Sequence, residues 1–113
     1  MTGAEAEDLA LRYLQQQGLR LVARNARYKG GELDLVMLDG AMLVVVEVRL
    51  RSHSQFGGAA ASVTGRKQQR IVLATQLFLL DHPEHAQRAL RFDVVAFDGR
   101  DQPDWIQAAF DGF

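Results

Sequence analysis

No cysteine occurs in these 113 residues, so the chain has no disulfide framework and no thiolate to act as metal ligand or nucleophile. No apolar run approaches the length of a bilayer span. The opening residues Met1-Thr2-Gly3-Ala4-Glu5 lack the apolar stretch of a secretory leader. These absences point to a cytoplasmic protein with no membrane partner. His53, His82 and His85 lack metal-ligand spacing, the last two straddling Pro83. Gly57-Gly58 is too little for a phosphate loop. Neither an internal repeat nor a low-complexity tract is present, and the formal net charge is only −1.

What is present is ordinary material for one domain spanning residues 1–113, at 48% hydrophobic and 24% charged, enough for a single core and not two. The near-neutral sum hides an asymmetry. Residues 20–70 carry nine Lys or Arg and four acids, a balance of +5, and the rest of the chain carries −6. A basic middle suits an anionic partner such as nucleic acid, although ordinary solvated faces can produce the same count.

Residues 3–17 read as a helix with Ala6, Leu9, Ala10, Tyr13 and Leu14 as its apolar stripe and Gly18 as its stop. Glu7 shares a side of that helix with Ala10, Leu11 and Leu14. Residues 19–25 alternate as a first strand, 28–31 form a Gly-containing loop, and 32–38 form a second strand. Asp39-Gly40 signals a two-residue hairpin turn. Residues 42–50 are apolar on both faces, as in a central strand. Residues 52–65, rich in Ser, Gly and Ala, read as a loop before a second helix over 65–82. A strand follows at 90–97, and 105–110 is a strand or turn that packs its aromatics on the core. The order is αβββαβ, an α/β domain with a mixed central sheet flanked by helices.

Carboxylates are written into the most apolar part of this pattern. Glu47 ends the run Met42-Leu43-Val44-Val45-Val46, thirteen residues after Asp34. A buried carboxylate calls for a shifted pKa, a cationic partner or a metal ion. An Asp39-Gly40 turn pairs residues whose numbers sum to 79, so Glu32 faces Glu47 and Asp34 faces Val45. Glu32, Asp34, Leu43, Glu47 and Arg49 then share one face, with Asp34 and Glu47 as diagonal neighbours. Oxygen donors without Cys favour Mg²⁺ or Mn²⁺ over Zn²⁺. A metal-free network in which Arg49 satisfies the acids accounts for the same residues. On the second helix Lys67, Ile71, Ala74 and Phe78 fall on one stripe, so Lys67 extends it towards the sheet. A lysine near a helix start also commonly snorkels to solvent.

The ordered set Gly3-Ala4-Glu5-Ala6-Glu7, Gly31-Glu32-Leu33-Asp34, Val44-Val45-Val46-Glu47-Val48-Arg49 and Arg91-Phe92-Asp93-Val94-Val95 resembles the PD-(D/E)XK nuclease superfamily, most closely its YraN-like branch, which is related to Holliday-junction resolvases. The resemblance implies a restriction-endonuclease-like core and a Mg²⁺-dependent endonuclease acting on DNA, with a homodimer expected by analogy. It makes Asp34, Glu47 and Arg49 the catalytic residues and Glu7, Asp34 and Glu47 the metal ligands. Arg27, Lys29, Arg51, Arg66 and Lys67 would track the nucleic-acid backbone. One departure matters: Arg49 occupies the motif lysine position. Arginine clamps phosphate but is never deprotonated, so it cannot be a general base. Lys67 can supply the displaced amine, and metal-bound water can be acidified by the ion itself. The alternatives are a catalytically inactive nucleic-acid-binding module and a protein-interaction domain with an internally neutralised acidic face.

Overall fold

The computed structural model describes residues 1–50, 58, 62–98 and 102–112. The chain runs α1 (Gly3–Gln16), β1 (Arg20–Tyr28), β2 (Gly31–Asp39), β3 (Met42–Leu50), α2 (Gly65–Asp81), β4 (Leu90–Phe97) and β5 (Asp104–Phe110). The five strands form one sheet in sequence order. Only β3 and β4 pair in parallel, and α2 makes the crossover between them; the other neighbours are antiparallel. This is the expected αβββαβ core, a mixed sheet consistent with the restriction-endonuclease-like fold, with a fifth strand resolving the ambiguity at 105–110. The expected loop at 52–65 falls largely outside the described residues. Among the described residues no helix is long and apolar enough to cross a membrane.

Each helix covers one face of the sheet. Ala6, Ala10 and Leu14 of α1 pack with Leu35, Met37, Val44, Val46, Val95 and Phe97. Ile71, Ala74 and Phe78 of α2 pack with Val36, Leu38, Leu43, Val45, Val94 and Ala96. β3 therefore alternates Leu43 and Val45 into one layer with Val44 and Val46 into the other. That double burial explains its unbroken apolar run, each side chain contributing roughly 1.5–3 kcal/mol. Leu9, expected in the α1 stripe, is instead exposed; Leu11 packs against that layer in its place. A capping box between Thr2 and Glu5 starts α1, and the Thr64 side chain caps α2 by accepting from the Lys67 backbone N–H.

The hairpin register corrects the sequence expectation. Asp39 pairs with Met42 and Leu38 with Leu43, so partners sum to 81 and the two turn residues are Gly40 and Ala41. Only Gly40 takes a positive φ there, at 60°, which suits a II′ turn with glycine first. The shift of two residues preserves which face each side chain occupies but moves every cross-strand neighbour.

Candidate active site

The β2–β3 ladder ends at Leu35 opposite Val46, although β2 continues pairing with β1 and β3 with β4. The sheet thus forks one residue before Asp34 and Glu47. Asp34 and Glu47 are the first residues beyond the last paired rung. Within the fork, Asp34 Oδ2 accepts a 2.9 Å hydrogen bond from the Val48 backbone N–H, taking the place of a ladder carbonyl. The face pattern slips at the same level. Leu33 and Leu35, two apart, pack in opposite layers, whereas Ala23 and Ala26, three apart, pack against the same one. Asn25 lies between those alanines with φ 53°, a left-handed conformation that Asn tolerates better than most residues.

Glu47 is only 4% exposed, and its carboxyl is hydrogen-bonded to that of Asp34. Burial first, then the charge of Asp34, pushes the Glu47 carboxyl from 4.5 up to about 8, against the opposing pull of Lys67 and Arg49. Burial also raises Asp34, which the Val48 N–H, the Glu47 hydrogen bond and Lys67 partly offset. Burial and mutual repulsion thus push both carboxyls of the pair towards the protonated form.

Lys67 comes in from α2, placing Nζ 3.5 Å from Glu47 Oε1, as its position on the apolar stripe predicts. The close approach of helix to sheet depends on Gly31, where a Cβ would collide with the Arg70 carbonyl oxygen and lie 3.2 Å from the Ala74 Cβ. Arg49, half-buried two residues beyond Glu47, has a buried Nε without a hydrogen-bond partner among the described residues. The nearest cation to Glu47 is thus Lys67, reaching across the layers, while Arg49 contributes its charge from the same strand.

Glu7 reaches the margin of this site from α1. Its carboxyl is raised by burial and by Asp34's charge, and accepts a hydrogen bond from the Asn25 side chain; Arg24 Nη2 lies 3.8 Å from it and 2.9 Å from Asp8. Among the described residues no three His, Cys, Asp or Glu side chains stand close enough to hold an ion as they are placed. Mg²⁺ commonly uses one or two carboxylates with waters and substrate phosphate oxygens. Asp34 and Glu47, all-oxygen donors short of positive charge, fit that pattern, and Glu7 stands beside them.

Next to the pair a groove of about 430 Å³ runs between the β1–β2 turn and α2, lined by Arg27, Tyr28, Gly30, Gly31, Glu32, Lys67, Arg70 and Ile71. Of the expected backbone-tracking residues, Arg27 and Lys67 line it. Lys29 is exposed in the adjoining turn and Arg66 on the first turn of α2; Arg51 lies outside the described residues. Sequence reasoning missed Arg70 and Asn25. An asparagine inside a strand, where its propensity is poor, was the available signal for the second. Buried Asp93, in contrast, is fully occupied: it accepts from Arg91 Nε at 3.0 Å, Trp105 Nε1 at 3.0 Å and Ala108 N at 2.9 Å, filling the β4–β5 irregularity.

The model of the uncharacterised protein family UPF0102 matches residues 6–97. Similar proteins include a UPF0102 protein of Pseudomonas entomophila, 56% identical over 113 residues, covering 96% of this chain and 92% of the relative. One from Aeromonas hydrophila subsp. hydrophila is 56% identical over 109 residues, covering 96% and 83%. Another, from Xanthomonas campestris pv. campestris, is 57% identical over 111 residues, covering 96% and 89%.

Proposed function

Starting from a chain that belongs to the uncharacterised protein family UPF0102, the YraN family, we propose a divalent-metal-dependent endonuclease that hydrolyses phosphodiester bonds in DNA. The observation that carries this reading is the buried Asp34–Glu47 pair at the sheet fork, with Lys67 Nζ 3.5 Å from Glu47. A structural ion pair has no need of a second buried carboxylate, whereas a metal-phosphate site does.

Asp34 and Glu47 would hold Mg²⁺ or Mn²⁺, with Glu7 at the margin of the shell. A bound ion would supply the charge that lets both carboxylates ionise and would polarise the scissile phosphoryl group. Lys67 orients the attacking water at the Glu47 edge and steadies the developing negative charge. Arg49, on the same strand, clamps the phosphate as a fixed cation and takes no part in proton transfer. A water oxygen bonds to phosphorus as the ester P–O bond breaks; the water gives its proton to solvent, and the departing alkoxide takes one from solvent.

The test is cleavage of branched, single-stranded and duplex DNA with Mg²⁺ or Mn²⁺. Asp34→Asn should abolish cleavage and leave DNA binding intact or tighter. Joint loss of binding and cleavage in a folded variant would refute these roles. Arg49 at the lysine position supports a second reading, binding without hydrolysis. It predicts DNA binding that survives EDTA, weakens steeply with salt and is never followed by cleavage.

A further inference from the structure

We infer that the groove between the β1–β2 turn and α2 holds an unpaired nucleotide next to the scissile position, so that the substrate strand is single-stranded where it enters the site. The inference rests on the nucleic-acid part of the proposed function and is independent of the metal part.

Three cations, Arg27, Lys67 and Arg70, line this groove against one carboxylate, Glu32, and Glu32 already lies 3.7 Å from Arg27 Nε. The wall also includes an aromatic ring, Tyr28, whose hydroxyl is hydrogen-bonded to Asp81. Its ring packs against the core layer, so it is held in place. Gly30 and Gly31 contribute only backbone to the floor. At about 430 Å³ the groove lies in the range of clefts that enclose a small ligand such as a nucleotide. A fixed ring beside a cationic rim is what unpaired nucleotides use, the base stacking while the phosphate meets the cations. Lys67 belongs to both groove and carboxylate pair, so a nucleotide seated here has its neighbouring phosphate at Glu47.

The inference is tested by fluorescence anisotropy in EDTA with labelled single-stranded DNA, single-stranded RNA and a blunt duplex of the same sequence. Wild type should bind at least one kind of single strand about tenfold tighter than duplex, and the DNA-to-RNA ratio identifies the preferred sugar. Tyr28→Leu should lose about tenfold on single strands, roughly one base–aromatic stack, and little on duplex. Tyr28→Phe, which keeps the ring, should retain affinity. Arg70→Gln should weaken every nucleic acid and flatten the salt dependence. Thermal melting identifies variants that have unfolded, and the wild-type strand-versus-duplex comparison needs no variant at all. Duplex bound as tightly as single strands, or full affinity in folded Tyr28→Leu, overturns the inference and leaves the nuclease reading standing. Failure to bind any nucleic acid at low salt overturns both.

Discussion

Replacing Glu47 with glutamine should make the protein more stable at alkaline pH, and the size of the gain follows from the site. In the folded protein the Glu47 carboxyl titrates at about 8, against 4.5 ordinarily. Between those values the folded chain holds a proton that the unfolded chain releases. Stability from this group is therefore complete below pH 4.5 and is lost as pH rises through 8. At ~1.4 kcal/mol per pH unit crossed, the loss approaches roughly 5 kcal/mol. Glutamine has the same shape, donates through its amide to Asp34 and never ionises. The Lys67 ion pair it removes is worth about 0–1 kcal/mol, because the lysine is 39% exposed. Glu47→Gln and wild type should thus melt within a few degrees of each other at pH 5. At pH 8.5 the variant should melt on the order of 20 °C higher. Saturating Mg²⁺ at pH 8.5 should raise the wild-type melting temperature and not the variant's. Scanning calorimetry from pH 5 to 9 provides the readout. A pH-independent difference between the two proteins, or a variant less stable at pH 8.5, would refute the claim that burial and Asp34 hold a proton on Glu47.

Further substitutions probe how the site is framed. Asp93→Asn removes one of the two carboxylates paired with Arg91, the other being Asp39, and turns an amide towards donors, so urea denaturation should show a loss on the order of 1–3 kcal/mol; a change under about 0.5 kcal/mol would contradict the role assigned to Asp93. Gly31→Ala drives a methyl into the Arg70 carbonyl and should cost about 1–3 kcal/mol. Gly3→Ala, which meets nothing within 4 Å, should be neutral or slightly stabilising in the same thermal melt. Asn25→Ala must hold alanine at φ 53°, so it should unfold roughly 1 kcal/mol more easily than Asn25→Gly, although both lose the Glu7 hydrogen bond. Equal stabilities in urea would show that this backbone conformation is not imposed by the fork.

The element order, the two helix faces and the doubly buried β3 were legible in the chain because they rest on local periodicity. Apolar residues three and four apart build a helix stripe, and an unbroken apolar run marks a strand covered on both sides. The placement of Asp34 and Glu47 on adjacent strands, and of Lys67 on the buried side of α2, was legible for the same reason. Leu9 was misplaced because helical spacing alone does not show how wide a stripe the sheet will cover.

Register was the step that local signals left open. Asp39-Gly40 marks a turn, but which residues occupy its two central positions depends on Gly40 taking φ 60° with Asp39 still in the ladder. That shift of two ends the paired ladder at Leu35 and Val46, immediately before the two carboxylates. The fork also belongs to the tertiary structure. It exists because the Asp34 side chain captures the Val48 N–H and because Asn25 lets the face of β1 slip. The amino-acid sequence by itself determined which elements form and that two acids would be buried among valines. Only the packed structure decided that those acids lie against each other, that Lys67 brings its Nζ to Glu47 across the layers, and that Arg70 and Tyr28 meet in one groove. Those outcomes depend on distances between segments far apart in the chain, which periodicity and propensity do not encode.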